Sequence, residues 1–175
     1  MDFNVLQREV RQATREAFVK LTEQYPNQVC GYALYSDADA ITICCAANTR
    51  DHLARMQAND PSDADLYAWS PPEWSFEGIE KQRFDEFCTQ LRAYEWARLD
   101  RDDFDPEAFR AQVYETCVAA LDSLAHDGLF GGPDRESVVV FIVSDDEQPK
   151  RDRRWIHRLN PPYLARRYDS LSTRR

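Results

Sequence analysis

The amino-acid sequence predicts one α+β domain whose mixed, mostly antiparallel sheet carries its helices mainly on one face. Two observations indicate this class. Apolar residues recur three and four positions apart in several long segments, which is typical of amphipathic helices, and short runs of β-branched, aromatic and cysteine residues lie between those segments. With 175 residues, the chain can bury one substantial core but is short for two ordinary domains, so residues 1–175 are expected to form a single domain.

The first part of the chain predicts a helix, a hairpin and a second, shorter helix. Residues 3–25 carry one apolar stripe at helical spacing. Residues 29–35 and 41–46 predict two strands, and the polar residues between them have the composition of a turn. Either Asn48 or Thr49 is expected to cap the helix that follows.

A third strand is predicted at residues 66–69, ending at a sharp corner. Ser70 and Glu73 have the spacing of a capping box, in which the hydroxyl of Ser70 accepts from the N–H of Glu73 and the carboxylate of Glu73 accepts from the N–H of Ser70. Pro71 suits the first helical position, because no partner is needed there for its missing N–H. We therefore interpret this corner as structural, with Trp74 packed on the core.

Two long core helices are predicted in the second part of the chain. The first covers about residues 78–99, and the second begins at Asp105, which has the character of an N-cap before a proline. The unbroken apolar run 137–143 predicts a central strand that is buried on both faces. The last predicted helix covers residues 155–168 and is broken near Pro161.

The net charge of −9 is unevenly distributed along the chain. Residues 150–175, the basic C-terminal segment, hold nine Lys or Arg and two acids, whereas residues 1–149 hold 13 bases and 29 acids. An acidic body disfavours nucleic acid and suits a basic protein partner, and the basic segment is expected to dock on that body. Because no apolar run has the length of a signal sequence or a membrane span, we expect a cytoplasmic protein with no membrane partner.

The sequence shows no legible catalytic site. Five cysteines lie in apolar periodic segments, where thiols are expected to be reduced, buried and unreactive: Cys30, Cys44, Cys45, Cys88 and Cys117. The acidic residues that follow the predicted strand 137–143 are more simply explained as a solvated loop than as catalytic carboxylates. Zinc-ligand spacing, phosphate loops and hydrolase elbows are absent from the sequence. We therefore expect no catalytic residue, no metal and no cofactor.

Five short signatures occur in a fixed order along nearly the whole chain. They are Ala47-Asn48-Thr49, residues 67–74, Gly128-Leu129-Phe130-Gly131, residues 139–145 and Leu159-Asn160-Pro161-Pro162. Together they resemble the bacterial domain-of-unknown-function family 4303. The resemblance implies no enzymatic activity. Families of this size and mixed build often resemble immunity proteins of bacterial toxin systems, which are cytoplasmic and act by binding a cognate toxin, and this further step is an analogy.

These features predict a non-enzymatic binding protein, most specifically an immunity-type inhibitor that neutralises a basic toxin domain by direct binding. Residues 60–107 hold fourteen acids against five bases, and this stretch and the loop 145–147 are the expected contact regions. The predicted contact residues are Asp100, Asp102, Asp103, Asp145, Asp146 and Glu147. Two alternatives stay open: a small enzyme that uses the Asp145 and Asp146 loop or a cysteine, and a nucleic-acid accessory protein that acts through the basic C-terminal segment.

Overall fold

The protein is an α+β domain, as the sequence predicts. The computed structural model describes residues 1–144 and 148–172, apart from the side chain of Ser172. The helices in these residues are α1 (Phe3–Gln24), α2 (Arg50–Asn59), α3 (Lys81–Trp96), α4 (Pro106–His126), α5 (Pro149–Leu159) and α6 (Pro162–Ser172). The strands are β1 (Val29–Ser36), β2 (Cys44–Thr49), β3 (Phe76–Glu77) and β4 (Val138–Val143). None of the helices among the residues described is long and apolar enough to cross a membrane.

The four described strands form one mixed sheet in the order β3-β2-β1-β4. β2 pairs antiparallel with both β1 and β3, whereas β4 pairs parallel with β1 from Gly31↔Val138 to Ser36↔Val143. β4 is buried along nearly its whole length, but the prediction that it is a central strand is wrong. An apolar run indicates that a strand is buried on both faces. A strand at the edge of a sheet is buried in the same way when other elements cover it.

Side chains on the two faces of the sheet enter two apolar clusters. The larger cluster lies on the face covered by α1, α3 and α4, with Leu34 and Phe141 among its strand residues. The smaller cluster combines Ala33 and Val140 with residues from α6 and from the corner near Trp74. Neighbouring strand residues therefore face opposite clusters, as the two-residue period of a strand requires. The prediction of helices mainly on one face is confirmed.

The segment between β1 and β2 is longer than predicted, because β2 begins at Cys44 rather than at residue 41. The N–H of Ile41 donates to the Asp37 carboxylate at 2.9 Å, and the N–H of Asp37 donates to the Thr42 hydroxyl at 3.1 Å. These local hydrogen bonds satisfy backbone donors that a strand would have paired. In addition, the hydroxyl of Tyr114 on α4 donates to the backbone carbonyls of Asp37 and Ala38. The turn is therefore fixed to α4.

The predicted strand at residues 66–69 and the capping box are both wrong. The backbone of this segment forms consecutive turns instead of a strand, since the N–H of Trp69 donates to the Leu66 carbonyl at 2.8 Å. The Ser70 side chain makes no capping hydrogen bond, and the N–H of Glu73 instead donates to the backbone carbonyl of Ser70 at 2.9 Å, which closes a short 3₁₀ turn. The corner is nevertheless packed on the sheet, because Trp74 is buried in the smaller cluster.

Helix α5 covers the outer side of β4. Trp155 on α5 joins the larger cluster and Ile156 joins the smaller one, so this helix bridges both faces of the sheet. Directly after α5, the side-chain amide of Asn160 pairs with the backbone of Val139: the N–H of Val139 donates to the amide oxygen at 2.8 Å, and the amide nitrogen donates to the Val139 carbonyl at 2.6 Å. One side chain thus takes the place of a neighbouring strand at the sheet edge.

Candidate functional site

The end of α3 and its connection to α4, together residues 95–105, expose two large apolar side chains. We call this region the acidic corner, since it holds five acids and two arginines. Trp96 is 77% exposed and Leu99 is 53% exposed. A tryptophan exposed to this degree gains much from burial against a partner, and tryptophan is enriched among residues that dominate binding energy.

Hydrogen-bonded turns and aromatic contacts hold the acidic corner in place. α3 ends in a turn in which the N–H of Arg98 donates to the Glu95 carbonyl at 2.8 Å. Beneath the turns, the rings of Tyr94 and Phe104 lie 5.6 and 5.8 Å from the ring of buried Phe109 on α4. These contacts fix the base of the corner on the core, so its exposed residues are presented from an ordered support.

The first three predicted contact residues lie together in the acidic corner and are exposed. Asp103 accepts two hydrogen bonds from the guanidinium of Arg101, at 2.9 and 2.8 Å, and these bonds lower the pKa of Asp103. Asp100 and Asp102 have no hydrogen bond or ion pair with other described residues. Their charges are therefore available to a partner, while the charge of Asp103 is partly offset.

The other predicted contact residues, Asp145, Asp146 and Glu147, lie outside the described residues.

The sequence interpretation missed Trp96 and Leu99. A signal for Trp96 was present, because it follows the apolar stripe of α3 but does not continue the spacing of its buried residues Phe84, Phe87, Cys88 and Leu91. An aromatic residue outside the buried stripe of a helix is a candidate for contact with another molecule.

The thiols are packed as small apolar groups. Cys30, Cys45, Cys88 and Cys117 are buried, and Cys44 is half-buried. Burial raises the pKa of the Cys30 thiol to about 11 and that of Cys45 well above its ordinary value. Nucleophilic cysteines require the opposite shift, toward the thiolate. In the described part of the chain, no cysteine is hydrogen-bonded to a histidine, and no group of three His, Cys, Asp or Glu side chains could hold a metal ion.

Arginines of the basic C-terminal segment contact carboxylates of the body. Arg154 and Arg158 on α5 both bind Glu115 on α4, at 2.5 and 3.3 Å, and Arg158 also binds Asp122 at 2.9 Å. The apolar face of the same helix buries Trp155. These contacts place α5 firmly against α4, and they use guanidinium groups that the nucleic-acid alternative would direct toward phosphates.

Comparison with known proteins identifies the family. The sequence profile of the family described as "Domain of unknown function (DUF4303)" matches residues 10–161. No curated protein and no solved structure matches the chain. Since the matched region covers most of the 175 residues, this chain belongs to the DUF4303 family.

Proposed function

We propose that this protein is a non-enzymatic binding domain whose acidic corner docks on a basic surface of a partner protein. The observation that carries the proposal is Trp96, which lies 77% exposed at the end of α3, just before Leu99 and the carboxylates of Asp100 and Asp102, which have no partner among the described residues. An exposed apolar anchor with like charges around it has the composition of a protein-binding surface, in which the anchor supplies affinity and the charges select the partner.

The charge of the surface defines the chemistry of the partner. A rim of carboxylates repels acidic proteins and nucleic acids and accelerates encounter with a basic surface. In its most specific form, the proposal is that the partner is the basic domain of a bacterial toxin and that this protein is its immunity-type inhibitor, acting in the cytoplasm. The analogy with immunity proteins, which often share this size and mixed α+β build, supports this specific form.

Binding is favoured over an enzyme that uses a cysteine nucleophile by the state of the thiols. The cysteine side chains that an enzyme would use are packed in the core with raised pKa values. Inhibition by binding needs no reactive group, only a stable surface of complementary shape and charge. The acidic corner, supported by Phe109, offers a charged surface on a stable base.

The proposal is tested by co-expression with the toxin encoded beside this protein's gene. We expect protection of the cells and a complex that survives size-exclusion chromatography. A variant with Asp100→Asn, Asp102→Asn and Asp103→Asn should slow association, and a second variant with Asp145→Asn, Asp146→Asn and Glu147→Gln tests the other predicted contacts separately.

A matched control makes the same change in charge on exposed acids outside residues 60–107 and the loop 145–147, with Glu23→Gln, Asp51→Asn and Asp134→Asn. Association of this control should remain close to that of the wild type, because only charges near the interface act strongly at physiological salt. If no complex forms and no protection is seen, the proposed function is wrong. If the control slows association as much as the acidic-corner variant does, the location of the surface is wrong.

A further inference from the structure

A groove runs along the exposed side of α3 and reaches the acidic corner. Its first part, about 390 Å³, lies between α1 and α3, and its apolar lining includes Met1, Val5, Leu6 and Tyr94. Its second part, a more open depression of about 460 Å³, follows α3 toward its start and shares Gln90 with the first. We call the two parts together the α3 groove.

We propose that the α3 groove receives a basic amphipathic helix of the partner, about three turns long. This inference rests on the proposed docking at the acidic corner and names the element of the partner that docks. From Asp85 to Trp96, α3 rises about 17 Å, which is the length of a helix of about eleven residues. An amphipathic helix that lays its apolar face into a hydrophobic groove is a recurrent mode of recognition.

The packing of α1 on α3 forms the groove. Glu16 on α1 binds Arg83 near the start of α3 at 2.6 Å. Near the other end of α3, Tyr94 lines the groove together with Val5 from the start of α1. The two helices therefore run antiparallel, and a third helix can pack its ridge of side chains into the furrow between them.

Trp96 extends the α3 groove toward the acidic corner. Thr89, Ala93 and Trp96 are spaced by four and three residues, so they lie on one face of α3. All three are exposed. The small side chain of Ala93 leaves room for an apolar side chain of the partner, so one docked helix can contact both the groove and the indole ring.

The charges of the α3 groove select a basic helix. Its charged lining is entirely acidic and consists of Asp2, Glu9, Asp85 and Glu86. The carboxylate of Asp2 accepts from two backbone N–H groups, whereas the carboxylates of the other three have no hydrogen bond or ion pair with other described residues. Lysines or arginines that flank the apolar face of a docked helix would meet these carboxylates, and such complementarity speeds encounter and fixes orientation.

A helix suits this groove better than an extended segment does. The backbone groups of α3 along the groove are paired within the helix, so they offer no ladder to an added strand. The described sheet also offers little free edge, because β3 has only two residues and α5 covers the outer side of β4. A helix pairs its own backbone and needs only apolar contact and complementary charge from the groove.

Fluorescence titration of the full chain with two model peptides tests the proposal. Both contain the same leucines, alanines and lysines and have roughly 14 residues, a length at which helices begin to form. In the amphipathic peptide the leucines recur three and four residues apart, and in the shuffled peptide no helical face is apolar. Neither peptide contains tryptophan, so the signal reports on Trp96, because the other three tryptophans are at most 8% exposed: Trp69, Trp74 and Trp155.

We expect the amphipathic peptide to bind saturably, one peptide per protein, and at least about tenfold more tightly than the shuffled peptide. Binding should protect Trp96 from iodide quenching, and circular dichroism should show a gain of helix. Equal affinities of the two peptides would show attraction by charge alone and would overturn the proposal. The absence of saturable binding of the amphipathic peptide at about 1 mM would also overturn it.

A variant in the groove locates the binding site. Ala93→Gln places a longer polar side chain in the groove at an exposed helical position, so the fold should persist and affinity for the amphipathic peptide should fall about fivefold. Ala54→Gln is the matched control, since Ala54 is an exposed alanine of α2 outside the groove, and its affinity should stay within about twofold of the wild type. An unchanged affinity in Ala93→Gln would overturn the groove as the site.

A second variant tests the charges. Glu9→Gln with Glu86→Gln should weaken peptide binding about fivefold at low salt and less at high salt. Glu23→Gln with Asp51→Asn makes the same change in charge on exposed acids outside the groove and should stay within about twofold of the wild type. Equal losses in the two variants would show that overall charge, and not the groove, attracts the peptide.

Failure of this inference is distinguishable from failure of the proposed function. If Trp96→Ala weakens binding to the partner found by co-expression and Ala93→Gln does not, the acidic corner stands as a docking surface and the helix inference is wrong. If co-expression yields no partner while the amphipathic peptide binds in the groove, the proposed function fails and the groove stands as a receptor for basic helices.

Discussion

Asn160 shows how a single side chain can complete a sheet. Its amide group pairs with both the N–H and the carbonyl of Val139, and its nitrogen also donates to the Ile156 carbonyl at 3.0 Å. The sequence indicated a helix break and a family signature at this position. It could not indicate the partner, because Val139 lies 21 positions earlier in the chain and nothing local selects it.

We expect Asn160→Ala to lower the free energy of unfolding by about 3 kcal/mol, because two buried backbone groups of Val139 lose their partners. Urea denaturation measures this change. Asn59→Ala is the control, since Asn59 is exposed at the end of α2, and it should change stability by less than about 0.5 kcal/mol. A loss of stability for Asn160→Ala as small as that of the control would contradict the role of Asn160 in pairing the sheet edge.

Glu95 gives a prediction about pH. It is only 6% exposed, and burial, followed by the nearby charges of Asp39 and Asp37, raises its pKa above the ordinary value of 4.5 despite the opposing charge of Arg110. The folded state therefore binds this proton more tightly than the unfolded state does, and stability falls as pH rises above about 4.5.

Replacement of Glu95 by Gln removes that ionisation. We expect Glu95→Gln to raise the free energy of unfolding at pH 7. The gain should shrink toward pH 4, where the Glu95 carboxyl of the wild type is mostly protonated in both the folded and the unfolded state. Urea denaturation at the two pH values provides the comparison. A loss of stability at pH 7 would mean that attraction to Arg110 outweighs the cost of burial.

At the scale of elements, the contact between β1 and the corner near Trp74 depends on a glycine. A Cβ atom added at Gly31 would lie 3.0 Å from two ring carbons of Trp74 and 3.2 Å from Cβ of Asn48. We expect Gly31→Ala to cost about 1–3 kcal/mol of stability through overpacking. Adding Trp74→Leu should recover part of that loss, so the two changes should be non-additive in urea denaturation.

Gly132→Ala is the matched control, because nothing lies within 4 Å of an added Cβ there. Its stability should stay within about 0.5 kcal/mol of the wild type. Strict additivity of Gly31→Ala and Trp74→Leu would show that the close contact between strand and corner is not the source of the strain.

Elements set by local chemistry were predicted well, and elements set by distant contacts were not. The cap of α4 was predicted correctly, since the Asp105 carboxylate accepts from the Ala108 N–H at 3.0 Å, three residues away. The corner near Trp74 was misinterpreted, because this segment turns back on itself and the indole N–H of Trp74 donates to the Tyr67 carbonyl. The place of β4 in the sheet depends on α5, which no local pattern could show.

The candidate site followed the same rule. The acids of the corner were predictable, because a dense acidic stretch is visible in composition. The exposure of Trp96 required knowledge of where α3 packs and ends. The ion pair between Arg154 and Glu115 was hidden, since these residues lie 39 positions apart and only the packing of α5 on α4 brings them together.

At the scale of the whole molecule, the basic C-terminal segment contributes to the core. Trp155, Ile156, Leu159 and Leu164 are all buried. Burial of such side chains contributes about 1.5–3 kcal/mol each, so their sum, roughly 8 kcal/mol, is comparable to the total stability of a typical domain.

We therefore expect a chain truncated before Pro149 to lose its cooperative fold. Circular dichroism melting and proton NMR dispersion measure this loss. The control is the full chain with Arg153→Gln and Arg166→Gln, which lowers the charge of the segment and keeps its apolar residues, and it should melt cooperatively. A truncated chain that also melts cooperatively would contradict a structural role for the segment.

The affinity of Trp96→Ala for the basic partner tests most directly the claim that the acidic corner is a docking surface. Equilibrium binding to the partner identified by co-expression should weaken at least about thirtyfold, which corresponds to roughly 2 kcal/mol for the loss of a central anchor. Tyr163→Ala, a change at another exposed aromatic residue, should bind like the wild type. If Trp96→Ala binds the partner as tightly as the wild type does, the account of this surface is wrong.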